Sequence, residues 1–460
     1  MAPSTTTSAP VRFSGPAGAV APMTWSQFGI WGAVKMFRPH DAYLNVSCRV
    51  EIPDGRALDD VLAVLHDVVV RHESLRTRYF DAADGSGRQE VLGSGEYEVR
   101  LEHDPEEPLD DLLARFADRS FDVDRGLPAR FAIVCSGQRP AWLLVVVSHL
   151  SIDGLARNRL HEEFTARLAG ERGYGEDRPL LTPVAQARAE NGPSGIRLNE
   201  RTIERWRRFR DRVDVTNFPA PSAVREPRWV RVAMCSPALG AAFDRIADRV
   251  KVTSPAVFAA MSATVVSMLS GRSGTALRCM ISNRFTEAEK YYIGNMAQSG
   301  AFDVEVGDAV FDEVVRRTMA ASIRGYSMGR YRMEQLAEII PPGRFDAMHN
   351  DFRDTAVAKK APLSDSEIHA LRPRTVVGPP QVLQYYDDKF HVEIRNGGDG
   401  PAPQLMLDRC CVPAAEPREV LVAMEVFALA QLSAHRDVPA VEAFKLALAQ
   451  ATETDREAPR

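Results

Sequence analysis

The sequence predicts a mixed α/β protein built as two lobes. Three observations carry that expectation. Period-two or wholly apolar runs of strand length alternate along the chain with helical patterns of period 3.6. Both kinds occur in both halves. Between the halves, around residues 172–200, the stretches GERGYGEDRPLLTP and ENGPSG are enriched in Gly, Pro and charge and mark an internal boundary. With 460 residues, a prior of roughly 100–200 residues per domain also points to more than one domain.

The elements follow from their patterns. Residues 1–20 hold few large apolar side chains and are expected to be a disordered tail. Leu58, Val61, Leu62, Val64, Leu65, Val68 and Val69 recur at helical spacing, as do Leu109, Leu112, Leu113 and Phe116, and then Leu155, Leu160 and Phe164. Strands are expected over residues 44–52, 129–134, 142–147, 229–234 and 276–281. Two more, 390–394 and 405–411, flank the turn Asn396-Gly397-Gly398-Asp399-Gly400 and read as a hairpin. The expected division is an N-terminal lobe over 21–175, a linker over 176–200, a C-terminal lobe over 201–450, and a tail over 451–460.

Composition excludes several classes. The hydrophobic share of 45% and charged share of 26% are those of an ordinary globular chain. A net charge of −5 argues against a nucleic-acid partner. The six cysteines (Cys48, Cys135, Cys235, Cys279, Cys410 and Cys411) form no CxxC pair, which fits free thiols in a reducing, cytoplasmic setting without structural zinc. MAPSTTTSAP lacks the apolar core of an export signal. Residues 255–269 are too short to span a bilayer, which takes ~20 apolar residues, so no membrane is expected.

The chemistry concentrates in SHLSIDG, residues 148–154, which follows the apolar run AWLLVVV. If the strand continues through Ser148 and His149, their side chains point to opposite faces, and Ser148 cannot be a nucleophile activated by His149. No GxSxG elbow exists to supply another. His149 is then either a polar residue ending a strand or a general base acting on a substrate's own nucleophile, a role suited to imidazole near neutral pH. Asp153 can cap the helix beginning near Leu155. Gly154 allows backbone to approach a ligand closely.

SHLSIDG resembles HHxxxDG, the signature of the condensation-domain superfamily of nonribosomal peptide synthetases. Further blocks occur in the same order. MTWSQFGIW (23–31) is similar to SxAQxxxW, and RHESLRTRY (71–79) to RHExLRTxF. FDVDRGLPAR (121–130) is similar to FDLxxGPLxR. Val252-Thr253-Ser254-Pro255 opens a helix in the manner of the family, and SNR (282–284) with IGNM (293–296) resembles NR…IGxFVNT. Asn350 stands where a late tunnel asparagine is found. The resemblance covers residues 20–435.

It implies two chloramphenicol acetyltransferase-like lobes in a V shape with a central tunnel, and latch and floor-loop elements in the C-terminal lobe. The donor would be an acyl or aminoacyl thioester on the phosphopantetheine of a carrier protein, with no cofactor bound to the chain itself. The acceptor would be a small amine or alcohol, and the product an amide or ester. His149 would act as base or positioner, and the Gly154 N–H would hold the oxyanion. Asp153 would pair with Arg284 as a structural strut. Ser148, in place of the first histidine, would support the loop. Ser26 and Asn350 are candidates to line the tunnel. Arg71, Glu73 and Arg76 are expected to hold the N-terminal lobe together. His349 and Asp351 lack a third ligand, so no metal is expected. The six arginines of 201–212 are either a solvated helix face or a surface for an acidic carrier helix. No adenylation or carrier segment is recognised, which implies a free-standing enzyme acting in trans. Two alternatives are an acyl-CoA-dependent acyltransferase of the same fold and a non-catalytic recruitment domain.

Overall fold

The computed structural model describes residues 5–457, apart from 17, 19, 172, 222–223, 354–362, 414 and 434–435. The described chain forms two compact units. One comprises Met1–Glu200, Ser282–Gln298 and Arg330–Met333. The other comprises Arg201–Ile281, Ser299–Gly329 and Glu334–Arg460.

The first unit is built on a five-stranded sheet in the order Thr5–Ser14, Ser94–His103, Ala129–Ser136, Arg139–Val147 and Val46–Glu51. All neighbours are antiparallel except Ser94–His103 with Ala129–Ser136. Both faces are covered. On one, Phe131, Ile133, Val145 and Val147 meet Val61, Leu65, Val68 and Val69 of the helix Leu58–Arg71, and Leu160 and Phe164 of the helix Gly154–Leu168. On the other, Ala132, Val134, Leu144 and Val146 meet Leu112 and Phe116 of Leu109–Ala117 and Trp31 and Val34 of Trp25–Phe37. Burial on both faces is why residues 141–147 read as an unbroken apolar run rather than an alternating one. A smaller sheet pairs Val20–Pro22, Gly87–Val91 and Thr77–Asp81.

The second unit has an eight-stranded sheet. Its order is Gln298–Glu305, Gly274–Ile281, Ala347–Asp351, Phe390–Asn396, Pro401–Asp408, Trp229–Cys235 and Val376–Val377, with Gln381–Leu383 also pairing with Trp229–Cys235. The expected hairpin is present, with Phe390 opposite Leu407 and Asn396 opposite Pro401. Phe243, Phe258, Phe311, Phe427 and Phe444, all helical, build the core against this sheet. Among the described residues, no single helix is long and apolar enough to cross a membrane.

Two expectations about the termini are corrected. Residues 5–14 are not a disordered tail but an edge strand paired over its whole length with Ser94–His103. Two inward residues suffice, Val11 and Phe13, both buried. The hydroxyls of Thr6 and Ser8 donate to Glu102 and Glu98 at 2.9 and 2.8 Å. The last helix, Ala440–Glu457, runs through most of the stretch expected to fray, and residues 458–460 lie outside the described part. Within 176–200, Pro183–Asn191 and the start of Pro193–Arg212 are helical.

Candidate active site

The strand Arg139–Val147 ends one residue before the motif, so Ser148 and His149 belong to a turn rather than to the strand. That turn is tightly held. The Ser148 N–H donates to the Pro128 carbonyl at 2.7 Å, and the Ser148 carbonyl accepts from Ser151 N–H at 2.9 Å. The Ser148 side chain is buried. Its hydroxyl oxygen accepts weakly from Leu150 N–H at 3.4 Å and makes no bond to His149.

His149 is partly exposed. Its Nδ1 lies 2.8 Å from the carbonyl oxygen of Ile152. A carbonyl only accepts, so Nδ1 carries the proton. In the neutral ring Nε2 is then left with its lone pair, the nitrogen a general base requires.

Asp153 is the N-cap of the helix Gly154–Leu168, and its Oδ1 accepts from Ala156 N–H at 2.9 Å. Its Oδ2 accepts from Arg284 Nη1 at 2.7 Å and from the N–H groups of Met296 and Ala297 at 2.9 and 3.1 Å. Both side chains of the Asp153–Arg284 pair are almost wholly buried. Burial alone would push the Asp153 carboxyl up. The Arg284 guanidinium and the N–H donors outweigh it and hold the carboxyl below its ordinary range. None of the four donors is His149, so Asp153 is no relay to the imidazole.

The blocks around 284 and 294 are built to deliver those donors. Asn283 takes the left-handed conformation, φ 56°, which asparagine tolerates, and its Nδ2 donates to the Met296 carbonyl at 2.9 Å. Arg284 Nη2 donates to the Gly294 carbonyl at 2.8 Å. A side chain at Gly294 is barred, because its Cβ would fall 1.9 Å from Cζ of Tyr292.

Gly154 opens the helix, where an N–H has no intrahelical acceptor. Such a group suits a developing oxyanion. A bare carboxylate at Asp153 would oppose that use, and the Arg284 charge offsets it.

The remaining candidates have other occupations. Ser26 is buried, and its hydroxyl donates to the Asn295 carbonyl at 2.7 Å. In the second unit, Asn350 is buried in the sheet. Its Oδ1 accepts from Met280 N–H at 2.9 Å, and its Nδ2 donates to His391 Nε2 at 3.3 Å. His349 meets the Ser262 hydroxyl at 2.9 Å, and Asp351 pairs with Arg353 at 2.6 Å. Burial pushes the His349 imidazole down to about 4. Arg76 is spent on the carbonyls of Pro16 and Leu92, and His72 on Glu163, which also takes Arg167. The site also uses groups that no motif announces: the Ile152 carbonyl, the Met296 and Ala297 N–H groups, and Asn295, whose Nδ2 donates to the His149 carbonyl at 2.8 Å. Asn295 and Met296 lie in the IGNM block, but nothing in that block marked the Asn295 side chain or the Met296 N–H as partners of this turn.

Comparisons with known proteins agree with one another. The family model of the Condensation domain matches residues 18–367. The chain is 26% identical over 358 residues to an isonitrile lipopeptide synthase of Mycobacterium tuberculosis, covering 71% of this chain and 14% of that protein. It is 22% identical over 366 residues to a dimodular nonribosomal peptide synthase of Bacillus subtilis, covering 76% and 15%. The chain thus spans less than a sixth of the length of these relatives. Among solved structures, the first condensation domain of the CDA synthetase aligns with TM-score 0.66 and 16% identity, covering 92% of this chain and 98% of that one. The X-domain in complex with OxyB from teicoplanin biosynthesis aligns with TM-score 0.65 and 18% identity, covering 91% and 94%. At such identities the likeness is one of fold.

Proposed function

The chain belongs to the condensation-domain family, and from that premise we propose that it transfers an acyl or aminoacyl group from a carrier-protein phosphopantetheine thioester, supplied in trans, to an amine or alcohol. The observation that carries this reading is the bond from His149 Nδ1 to the Ile152 carbonyl, which leaves Nε2 as the unprotonated nitrogen. In the proposed step the acceptor nitrogen or oxygen attacks the thioester carbonyl while Nε2 takes its proton. The tetrahedral oxyanion is held by the Gly154 N–H. Collapse breaks the C–S bond, and the pantetheine sulfur leaves with the proton from Nε2. An amide or ester and a free thiol result. No metal or bound cofactor enters this step.

The X-domain likeness favours a second reading, a domain that recruits another protein without catalysis. Fold alone does not carry function, and the arrangement of His149 favours the first reading.

The test compares matched acyl groups on a carrier protein, on pantetheine and on CoA, against a panel of amines and alcohols. Carrier-bound donors are expected to support turnover, and His149→Ala to lower it by about 10²–10⁴-fold with melting unchanged. Turnover from acyl-CoA in preference to the carrier would favour the acyl-CoA transferase. Equal turnover with and without His149 would remove the general base from the account.

A further inference from the structure

We propose that Asn295 is a positioning residue for His149, an inference that rests on the general-base reading above. Asn295 is fully buried. The direction of its amide is forced, because the His149 carbonyl it faces at 2.8 Å can only accept, and so Nδ2 must point there. Oδ1 is then left buried with no donor among the described residues. A buried carbonyl oxygen without a partner is a standing cost. An apolar side chain of the same shape would avoid that cost but could not hold His149.

Two anchors therefore fix the histidine. Its ring is held from within the turn by the Ile152 carbonyl. Its main chain is held by a residue 146 positions away in sequence. Asn295 is itself held, since its carbonyl accepts from the Ser26 hydroxyl at 2.7 Å. Ser26 lies in the first turn of the helix Trp25–Phe37, which the reciprocal Thr24–Gln27 cap fixes in place. Without the Asn295 bond, no hydrogen bond from the described residues holds the His149 carbonyl. The ring can then leave Ile152 and take the tautomer with the proton on Nε2, which presents a donor where the reaction needs a lone pair.

The experiment reads that tautomer directly and needs no substrate. The full chain is labelled with ¹⁵N-histidine, and the His149 resonances are assigned by their loss in His149→Gln. Wild-type protein is expected to show the proton on Nδ1. Asn295→Leu is expected to raise the Nε2-protonated form to about half of the neutral population. On acyl-pantetheine it is expected to lose about tenfold or more in kcat at unchanged KM, as misplaced catalytic groups do. Ser26→Ala, which keeps Asn295, is expected to move the tautomer ratio the same way by less, and it decides the matter if Asn295→Leu fails to melt cooperatively. A wild-type tautomer ratio in the folded variant overturns the role of Asn295. If His149→Ala retains turnover, the general-base reading fails by itself, while the tautomer ratio still decides whether Asn295 positions the ring.

Discussion

At the scale of single residues, His149 and Asp153 meet opposite environments although they stand four positions apart, the imidazole partly exposed and the carboxylate buried against Arg284. The Asp153 carboxylate is nearly inaccessible to water and saturated by four donors. Asp153→Ala leaves the Arg284 guanidinium buried without its counter-charge, and Arg284→Ala does the reverse. Each is expected to cost about 3–5 kcal/mol, read as a lowered midpoint of urea unfolding. The Asp153 carboxyl sits below its ordinary range in the folded chain. Its contribution is therefore fully present above the unfolded value and is lost as pH falls through the folded one. The acid limb of the stability curve should accordingly flatten in Asp153→Asn. The Asp153–Arg284 pair was legible only through the resemblance of SHLSIDG and SNR to family blocks. The Met296 and Ala297 N–H groups were not legible at all, because a backbone donor leaves no mark in residue identity.

At the scale of elements, the helix Trp25–Phe37 shows how a local arrangement acquires a pH dependence. The Trp25 N–H, unpaired within its own helix, donates to Glu190 Oε2 at 2.8 Å, and Gln186 Nε2 donates to Oε1 at 2.8 Å. Burial nevertheless pushes the Glu190 carboxyl up to about 7, against the smaller opposing pull of those donors. For an acid raised in the folded state, stability is fully present below the unfolded value and is lost as pH rises through the folded one. The loss spans about 4.5 to 7 and amounts to at most about 3 kcal/mol. Glu190→Gln keeps an acceptor for Trp25 and removes the titration. It should be more stable than wild type near pH 8 and lose that advantage near pH 5, measured by thermal melting across pH. The same scale shows where local patterns mislead. The N-terminal strand needs only Val11 and Phe13 inside, so its Ser, Thr and Pro content reads as a tail. Its partner strand, almost ninety residues on, is what makes it a strand.

At the scale of the whole molecule, the chain does not simply finish one unit and begin the next. The composition shift over 172–200 is visible in the sequence, and the first unit's long segment ends at Glu200. The return of Ser282–Gln298 to that unit is not visible, because hydrophobic period reports which face a residue buries and not against which distant element. Yet this return supplies Ile293 to the core and Arg284, Met296 and Ala297 to Asp153. A fragment of residues 1–200 keeps the sheet and its helices but leaves Asp153 a buried carboxylate with only its cap to Ala156. It is expected to be compact without cooperative melting and to bind a dye for exposed apolar surface. The effect of Asp153→Ala should then change sign with context. In the full chain it removes one partner of a buried pair and destabilises. In the fragment it removes an unpaired buried charge and should raise solubility and protection from protease. The opposite signs of the two effects read out what the returning segment contributes. If the substitution lowered the urea midpoint of the full chain and the protease resistance of the fragment alike, Asp153 would act through its helix cap alone, and the pair with Arg284 would add nothing to the fold.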